Sequence, residues 1–243
     1  MARAAGTPEK KGKAGRLPGQ GVLRRLRRWL WRSVALFLLV LLAMVLLGTV
    51  INPPTTIYMF SEARRLGGVS QTWMPLERIA PEMARAAVAA EDANFCNHWG
   101  FDMAAIREAL EEGGTRGAST ISQQTVKNVY LWQGRVWTRK ALEALLTPLV
   151  EAVWSKRRIV EVYLNVAEFG EGVFGVEAAA RHYFDVAAAD LSPTQAARLA
   201  AILPSPKKRS AAQPSDFVRK RAAQIRDGAA TIGKDGRSAC FES

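Results

Sequence analysis

PEMARAAVAAEDANFCNHWG, residues 81–100, opens as a helix and ends as something else. Pro81 suits a first helical position, where its missing N–H would lack a partner anyway, and Glu82 falls in the first turn, where the helix dipole favours an acid. Alanines carry the helix onward, and it is predicted to stop near Asp92. Adjacent carboxylates, Glu91 and Asp92, then stand beside Phe95, His98 and Trp99. An acid against aromatic surface has its charged form disfavoured, which raises its pKa toward a value useful for proton transfer. A solvated helix end with Asp92 capping a turn accounts for the same residues, so this segment alone leaves both readings open.

Downstream the chain continues in helical periods. Asp102 can cap MAAIREALEE, which Gly113 and Gly114 terminate. Thr120 at N-cap and Gln123 at N3 form a capping-box pattern before a stretch reaching about Tyr130. GASTISQQ therefore reads as a glycine-containing loop entering a helix, a turn that offers free backbone N–H groups to an anion. A long helix is predicted from about Thr138 to Trp154, with Leu142, Leu145, Leu149 and Val153 on one face. Pro148 should kink or divide it. Ile159, Val162, Tyr163 and Val166 continue the period until glycines 170, 172 and 175 break it. A helix at 176–184 follows, and then Ser192, Pro193 and Gln195 open another that Pro204 stops. No alternating strand pattern of convincing length occurs, so the fold class expected after residue 52 is mainly α.

Upstream the composition changes. Residues 1–32 hold ten lysines and arginines against the single acid Glu9, most of the chain's formal charge of +12. A basic tail on a nearly neutral body suits membrane orientation better than nucleic acid, whose recognition places the charge on the folded domain. Residues 33–51, SVALFLLVLLAMVLLGTVI, carry no charge and precede Pro53 and Pro54. Roughly 20 apolar residues at about 1.5 Å each cross a hydrocarbon core of about 30 Å, and Trp29 and Trp31 suit the headgroup boundary. The run exceeds the roughly 7–15 residues of a signal-peptide core and lacks a clear small-x-small site, which favours a retained anchor. The expected organisation is a basic cytoplasmic tail (1–32, with 1–20 disordered), a transmembrane helix (33–51), a connector (52–75), a catalytic domain (76–206) and a C-terminal helix and tail (207–243). Cys96 and Cys240 are expected to form no structural disulfide, because Cys240 falls in the tail. With only His98 and His182 and no CxxC pair, a protein-built metal site is not expected.

Five segments in order, EDANFCNHWG, RGASTISQQTVKN, GRVWTRKALEA, SKRRIVEVYLN and AEFGEGVFGVEAAARHYF, lie behind the anchor. The series resembles the ordered motifs of the family 51 glycosyltransferases, the peptidoglycan transglycosylase domain, from about Trp73 to Pro206. With no room after these motifs for a transpeptidase domain, the chain looks like the monofunctional biosynthetic branch of that family. The resemblance implies a lysozyme-like helical domain and polymerisation of lipid II into linear β-1,4 glycan strands on the outer face of the inner membrane. Polyprenyl diphosphate would leave as the anomeric carbon inverts.

Matched to the motifs, Glu91 is the family's base for the acceptor 4-hydroxyl, help typically worth about 10² to 10⁴ in rate. Asp92 and His98 would support its loop. Lys127 is the motif lysine, and Arg135, Arg139 and Lys140 would join it in holding pyrophosphate. Ser119, Thr120, Gln123 and Gln124 can line the acceptor or phosphate side. Glu143 matches the second important glutamate, either binding pyrophosphate through a divalent ion or positioning the cations. Glu161 and Asn165 read as structural. No cofactor is implied as required, though a divalent cation (Mg or Mn) could sit at the pyrophosphate. Expected partners are lipid II, the growing lipid-linked glycan, the membrane, and other cell-wall synthesis or division proteins, with no nucleic acid. Two departures stand out: the loop EALEEGGTRGAST is short for the family, and Ala118 replaces a frequent glycine. Trp132, Val136 and Trp137 near it could dip into lipid or pack in a core. A lysozyme-like hydrolase or lytic transglycosylase would share the fold but has no need of Lys127, Arg135 and Lys140. A silent membrane scaffold has no need of both glutamates.

Overall fold

The computed structural model describes residues 20–113, 117, 119–134 and 136–242. The disordered reading of the N-terminus up to residue 19, and the readings of Gly114, Ala118 and Arg135, lie outside these residues. The chain divides into two units, one up to Met44 and one from Val45.

Helix α1, Gln20–Leu47, is continuous through the arginines and the apolar run. It starts well before Ser33 because leucine, arginine and tryptophan sustain a helix as well as the apolar segment does. Its stretch Arg24–Leu47 is long and apolar enough to cross a membrane. The second unit begins with the last turn of this helix. Val45 is fully buried, its carbonyl accepting the indole N–H of Trp154 at 2.8 Å.

The body is helical around three short strands. Helices α2 (Ile57–Leu66), α3 (Pro81–Glu91), α4 (Met103–Glu111), α5 (Ile121–Tyr130), α6 (Trp137–Val153) and α7 (Lys156–Val166) are followed by α8 (Val176–Phe184), α9 (Pro193–Ile202), α10 (Asp216–Lys234) and α11 (Ala239–Glu242). Strands β1 (Ser70–Gln71), β2 (Glu168–Gly170) and β3 (Val173–Phe174) form a sheet ordered β1-β3-β2, β1 parallel and β2 antiparallel to β3. Strands of two or three residues are too short for alternation to show in a sequence, which is why they were not expected.

Small residues decide the core. Ala84, Ala86 and Ala87 of α3 and Ala196, Ala197, Ala200 and Ala201 of α9 are all buried, which lets two helix backbones approach closely. Across them lies α10, burying Val218, Ala222, Ile225, Ala229 and Ile232 at helical spacing. A second layer packs α5 between α6 and α7. Both capping boxes form, at Thr120 with Gln123 and at Ser192 with Gln195.

Two expectations fail here. The face of helix α6 expected in the core is not the buried one: the helix is continuous past Pro148, its buried residues are Arg139, Glu143, Leu146, Thr147, Val150 and Glu151, and Leu145 is 73 % exposed. Leu145 thus points outward and Leu142, Leu149 and Val153 are only half-buried, while the charged residues Arg139, Glu143 and Glu151 lie on the inner side. Cys96 and Cys240 form a disulfide. The C-terminal segment is no loose tail, since α11 docks on α7 and its Phe241 is fully buried.

Candidate active site

Helix α3 delivers Glu91 at its last turn and Asp92 just beyond it. Asp92 is buried. One carboxylate oxygen accepts the N–H of Ile121 at 2.9 Å and the other meets Nε2 of His98 at 2.7 Å. The start of α5 does attract an anion, as free helix-terminal N–H groups should, but that anion is the protein's own carboxylate. Its neighbouring amides are occupied too: Thr120 N–H donates to the Gln123 side chain and Gln123 N–H to Thr120 Oγ1. The Thr120 hydroxyl also donates to the carbonyl of Gly100 at 2.6 Å. Gly100 has a positive φ of 84°, and a Cβ there would lie 2.6 Å from Thr147, so only glycine lets this loop lie against α6. Lys156 closes the far side, donating to the carbonyl of His98 at 2.8 Å and pairing with Glu151 at 2.9 Å. Thr120 and Gln123 thus serve the frame more than a substrate surface.

Glu91 is held from α5. Gln124 Nε2 donates to its Oε2 at 2.8 Å, and the buried Tyr163 hydroxyl meets Gln124 Oε1 at 3.4 Å, which orients the amide nitrogen toward the acid. Burial pushes the Glu91 pKa above its ordinary value; Gln124, Arg221 and Lys127 pull it back, and the Asp92 charge adds to the rise. The second Glu91 oxygen is free to take a proton among the described residues.

Two clefts meet at Gln124 and Pro204. One of about 490 Å³ is lined by Glu91, Ser119, Thr120, Asp102, Glu108 and Arg221. The other, about 410 Å³, is lined by Lys127, Asn128, Gln133, Tyr163, Lys207 and Lys208. The first is rich in acids and the second in cations. Lys127 makes no ion pair among the described residues, and burial lowers its pKa, partly offset by Glu143 and Glu91.

Glu143 is only 2 % exposed and borders neither cleft. Arg139 donates to one of its oxygens at 2.6 Å and Lys140 bonds the other. Arg139 also donates to the carbonyl of Gly134 at 2.9 Å, which ties the segment before α6 to this buried acid. Lys140 is half-exposed and reaches Ser119 Oγ at 3.5 Å. In α7, Glu161 accepts the N–H of Leu76 at 3.1 Å and pairs with Arg158, while Asn165 brackets Met74 through its N–H and carbonyl at 2.7 and 2.8 Å. These two clamp the connector onto the helical body.

Arg221 was not anticipated. It comes from α10, donates to the carbonyl of Ala90 at 3.1 Å and faces the Glu91 cleft. Its only trace in the sequence is the run RKR at 219–221, which reads equally well as a solvated helix face. Tyr163 likewise looked like one member of an apolar period.

A family model described as "Transglycosylase" matches residues 60–230. The chain is 55 % identical, over 99 % of each chain, to a biosynthetic peptidoglycan transglycosylase from Jannaschia sp. (strain CCS1). It is 46 % identical to one from Caulobacter vibrioides, covering 91 % of this chain and 99 % of the relative. A third, from Pseudomonas putida, is 47 % identical over 87 % of this chain and 94 % of the relative.

Proposed function

We propose that this chain, which belongs to the transglycosylase family, is a peptidoglycan glycosyltransferase that polymerises lipid II into linear β-1,4 glycan strands, releases polyprenyl diphosphate and has no transpeptidase activity. The observation that carries the mechanism is Glu91, a half-buried acid of raised proton affinity that lines the acid-rich cleft and is bonded to Gln124, which borders both that cleft and the lysine-lined one.

The sugar 4-hydroxyl of the acceptor enters the Glu91 cleft. Its oxygen attacks the anomeric carbon of the donor from the face opposite the diphosphate, the C–O bond to the diphosphate breaks, and the hydroxyl proton passes to Glu91. Inversion follows from that geometry. Negative charge grows on the leaving diphosphate, where cations in a partly dry site act most strongly. Lys127 and Lys140 provide them, and the family motif adds Arg135. Glu143 works through these cations. Both of its oxygens are already engaged by Arg139 and Lys140, so Glu143 does not fit the role of a ligand to a Mg or Mn ion.

Helix α1 anchors the enzyme in the inner membrane, with its basic end in the cytoplasm and the catalytic unit outside. The charge asymmetry supports this, and the disulfide suits an oxidising compartment. Trp137, 82 % exposed, with Val136 and Leu145, offers an apolar surface to the bilayer that holds the substrate. Other cell-wall synthesis or division proteins are assigned as partners, and nucleic acid is not.

Purified protein incubated with lipid II tests the reading. Long glycan with released polyprenyl diphosphate is expected. Cleavage of preformed glycan with no polymer would assign a hydrolase instead, and an inert mixture would leave a scaffold.

A further inference from the structure

Glu91 is followed by a loop whose residues are held one by one, and one holder comes from the far end of the chain. Cys96 sits five positions beyond Glu91, in a single 3₁₀ turn (Phe95–Asn97), and is bonded to Cys240 of α11 across 144 residues. Next to it, the buried ring of Phe95 packs against Phe241 with centroids 6.3 Å apart and against the His98 ring at 6.2 Å. Lys156 lies 4.2 Å over the same Phe95 ring while it holds the His98 carbonyl. On the other side of Glu91, Arg85 of α3 donates to Glu242 of α11 at 2.6 Å. Arg157 of α7 donates to the Phe241 carbonyl at 3.2 Å, and Arg237, just before α11, to the carbonyl of Ala93 at 3.4 Å. Three consecutive residues of α11 thus grip α3 before the acid, the loop after it, and the helix beneath.

We propose that α11 is a positioning element for the catalytic acid: with the Cys96–Cys240 disulfide closed, it holds the segment from Arg85 to His98 so that Asp92 stays on Ile121 and Glu91 on Gln124. The inference rests on Glu91 being the base. No residue of α11 lines either of the two clefts, so its effect passes through the loop. Small displacements of a catalytic group cost rate steeply, up to about 10²-fold per ångström. An opened clasp should therefore lower turnover and leave substrate capture, made by the lysine-lined cleft, largely intact.

The test uses the full chain in detergent with lipid II as substrate, measuring kcat and KM before and after reduction. Dithiothreitol supplies two electrons and two protons to give the two thiols and closes to its cyclic disulfide; oxidised glutathione then takes them back and becomes two glutathione molecules. Reduction is expected to lower kcat about tenfold with KM changed by less than about twofold. Reoxidation should restore it, which mere loss of folded protein would not allow. The double variant Cys96→Ser with Cys240→Ser should sit at the low kcat and ignore dithiothreitol. Glu242→Gln, which keeps the disulfide and is insensitive to any folding defect of that pair, should give a smaller fall in kcat. Full kcat in protein shown by thiol titration to be reduced would overturn the proposal, as would a change confined to KM. Backbone hydrogen exchange at residues 93–100 and at Ile121 separates this from the functional reading, because it needs no turnover. Faster exchange on reduction supports the clasp even in a protein that makes no glycan; unchanged exchange sinks it even in one that does.

Discussion

At Glu91 burial works against ionisation, while Gln124, Arg221 and Lys127 work for it. A base is competent only when unprotonated, so kcat/KM should fall as pH drops through the raised pKa of Glu91. Gln124→Leu removes a hydrogen bond that favours the carboxylate. The acid limb of its pH profile should therefore lie at higher pH than that of the wild type, and a limb that stays in place or moves down would remove Gln124 from this role. Glu91→Gln should reduce polymerisation by about 10² to 10⁴. It also has a stability signature with a definite sign. An acid whose folded pKa is raised contributes stability below its unfolded pKa, near 4.5, and loses that contribution as pH rises through the folded pKa. The inactive variant should thus melt higher than wild type at pH 8, the gap closing toward pH 4. Calorimetry at the two values decides it; a lower melting temperature at pH 8 would mean that Glu91 is well solvated. Much of the candidate site was legible as residue types in order, since the five segments contain Glu91, Lys127 and Glu143. Burial was not, and burial is what separates the exposed half of Lys140 from the enclosed Glu143.

At the scale of elements, α6 shows where pattern reading misled. Leucines at helical spacing normally mark the face turned to the core, and Leu142, Leu145 and Leu149 fit that template. In the structure the core side holds Arg139 and Glu143, satisfied by each other and by Lys140, and Leu145 and Trp137 face outward. Hydrophobic periodicity locates an apolar stripe without saying which apolar medium covers it, protein or lipid. If the stripe meets the bilayer, Trp137→Ser with Leu145→Ser should weaken binding to anionic phospholipid vesicles of a chain that begins at Val45, by roughly tenfold for the apolar area lost, and leave its rate in detergent near wild type. Equal loss in both media would show that the two residues serve the fold. The caps, in contrast, were readable at single-residue resolution, because a Ser or Thr followed by Gln three positions later is a local hydrogen-bond pattern that needs no tertiary context.

The whole molecule joins what sequence composition separates. The change from apolar to mixed residues after Ile51 suggested a boundary there, yet the second unit begins at Val45. The reason is a set of bonds that composition does not encode. Trp154 donates to the Val45 carbonyl at 2.8 Å, and Arg158 donates to the carbonyls of Gly48 and Ile51 at 3.0 Å each and to Asn52 at 2.8 Å. Arg158 also pairs with Glu161, whose other oxygen clamps Leu76, so the last turn of α1 is wired through α7 to the connector. The disulfide escaped the sequence reading for the same kind of reason: only the docking of α11 brings Cys240 to Cys96. The wiring at Val45 makes a prediction about where the catalytic unit can be cut. A chain starting at Val45 keeps every one of these bonds and should polymerise lipid II in detergent. A chain starting at Pro53 strips partners from a buried indole and from a guanidinium, a loss of about 3 kcal/mol that corresponds to a melting temperature roughly 10 °C lower. Thermal melts of the two chains side by side read the difference. Equal melting temperatures would mean that water replaces these partners without penalty, and that the catalytic body ends where its sequence composition changes.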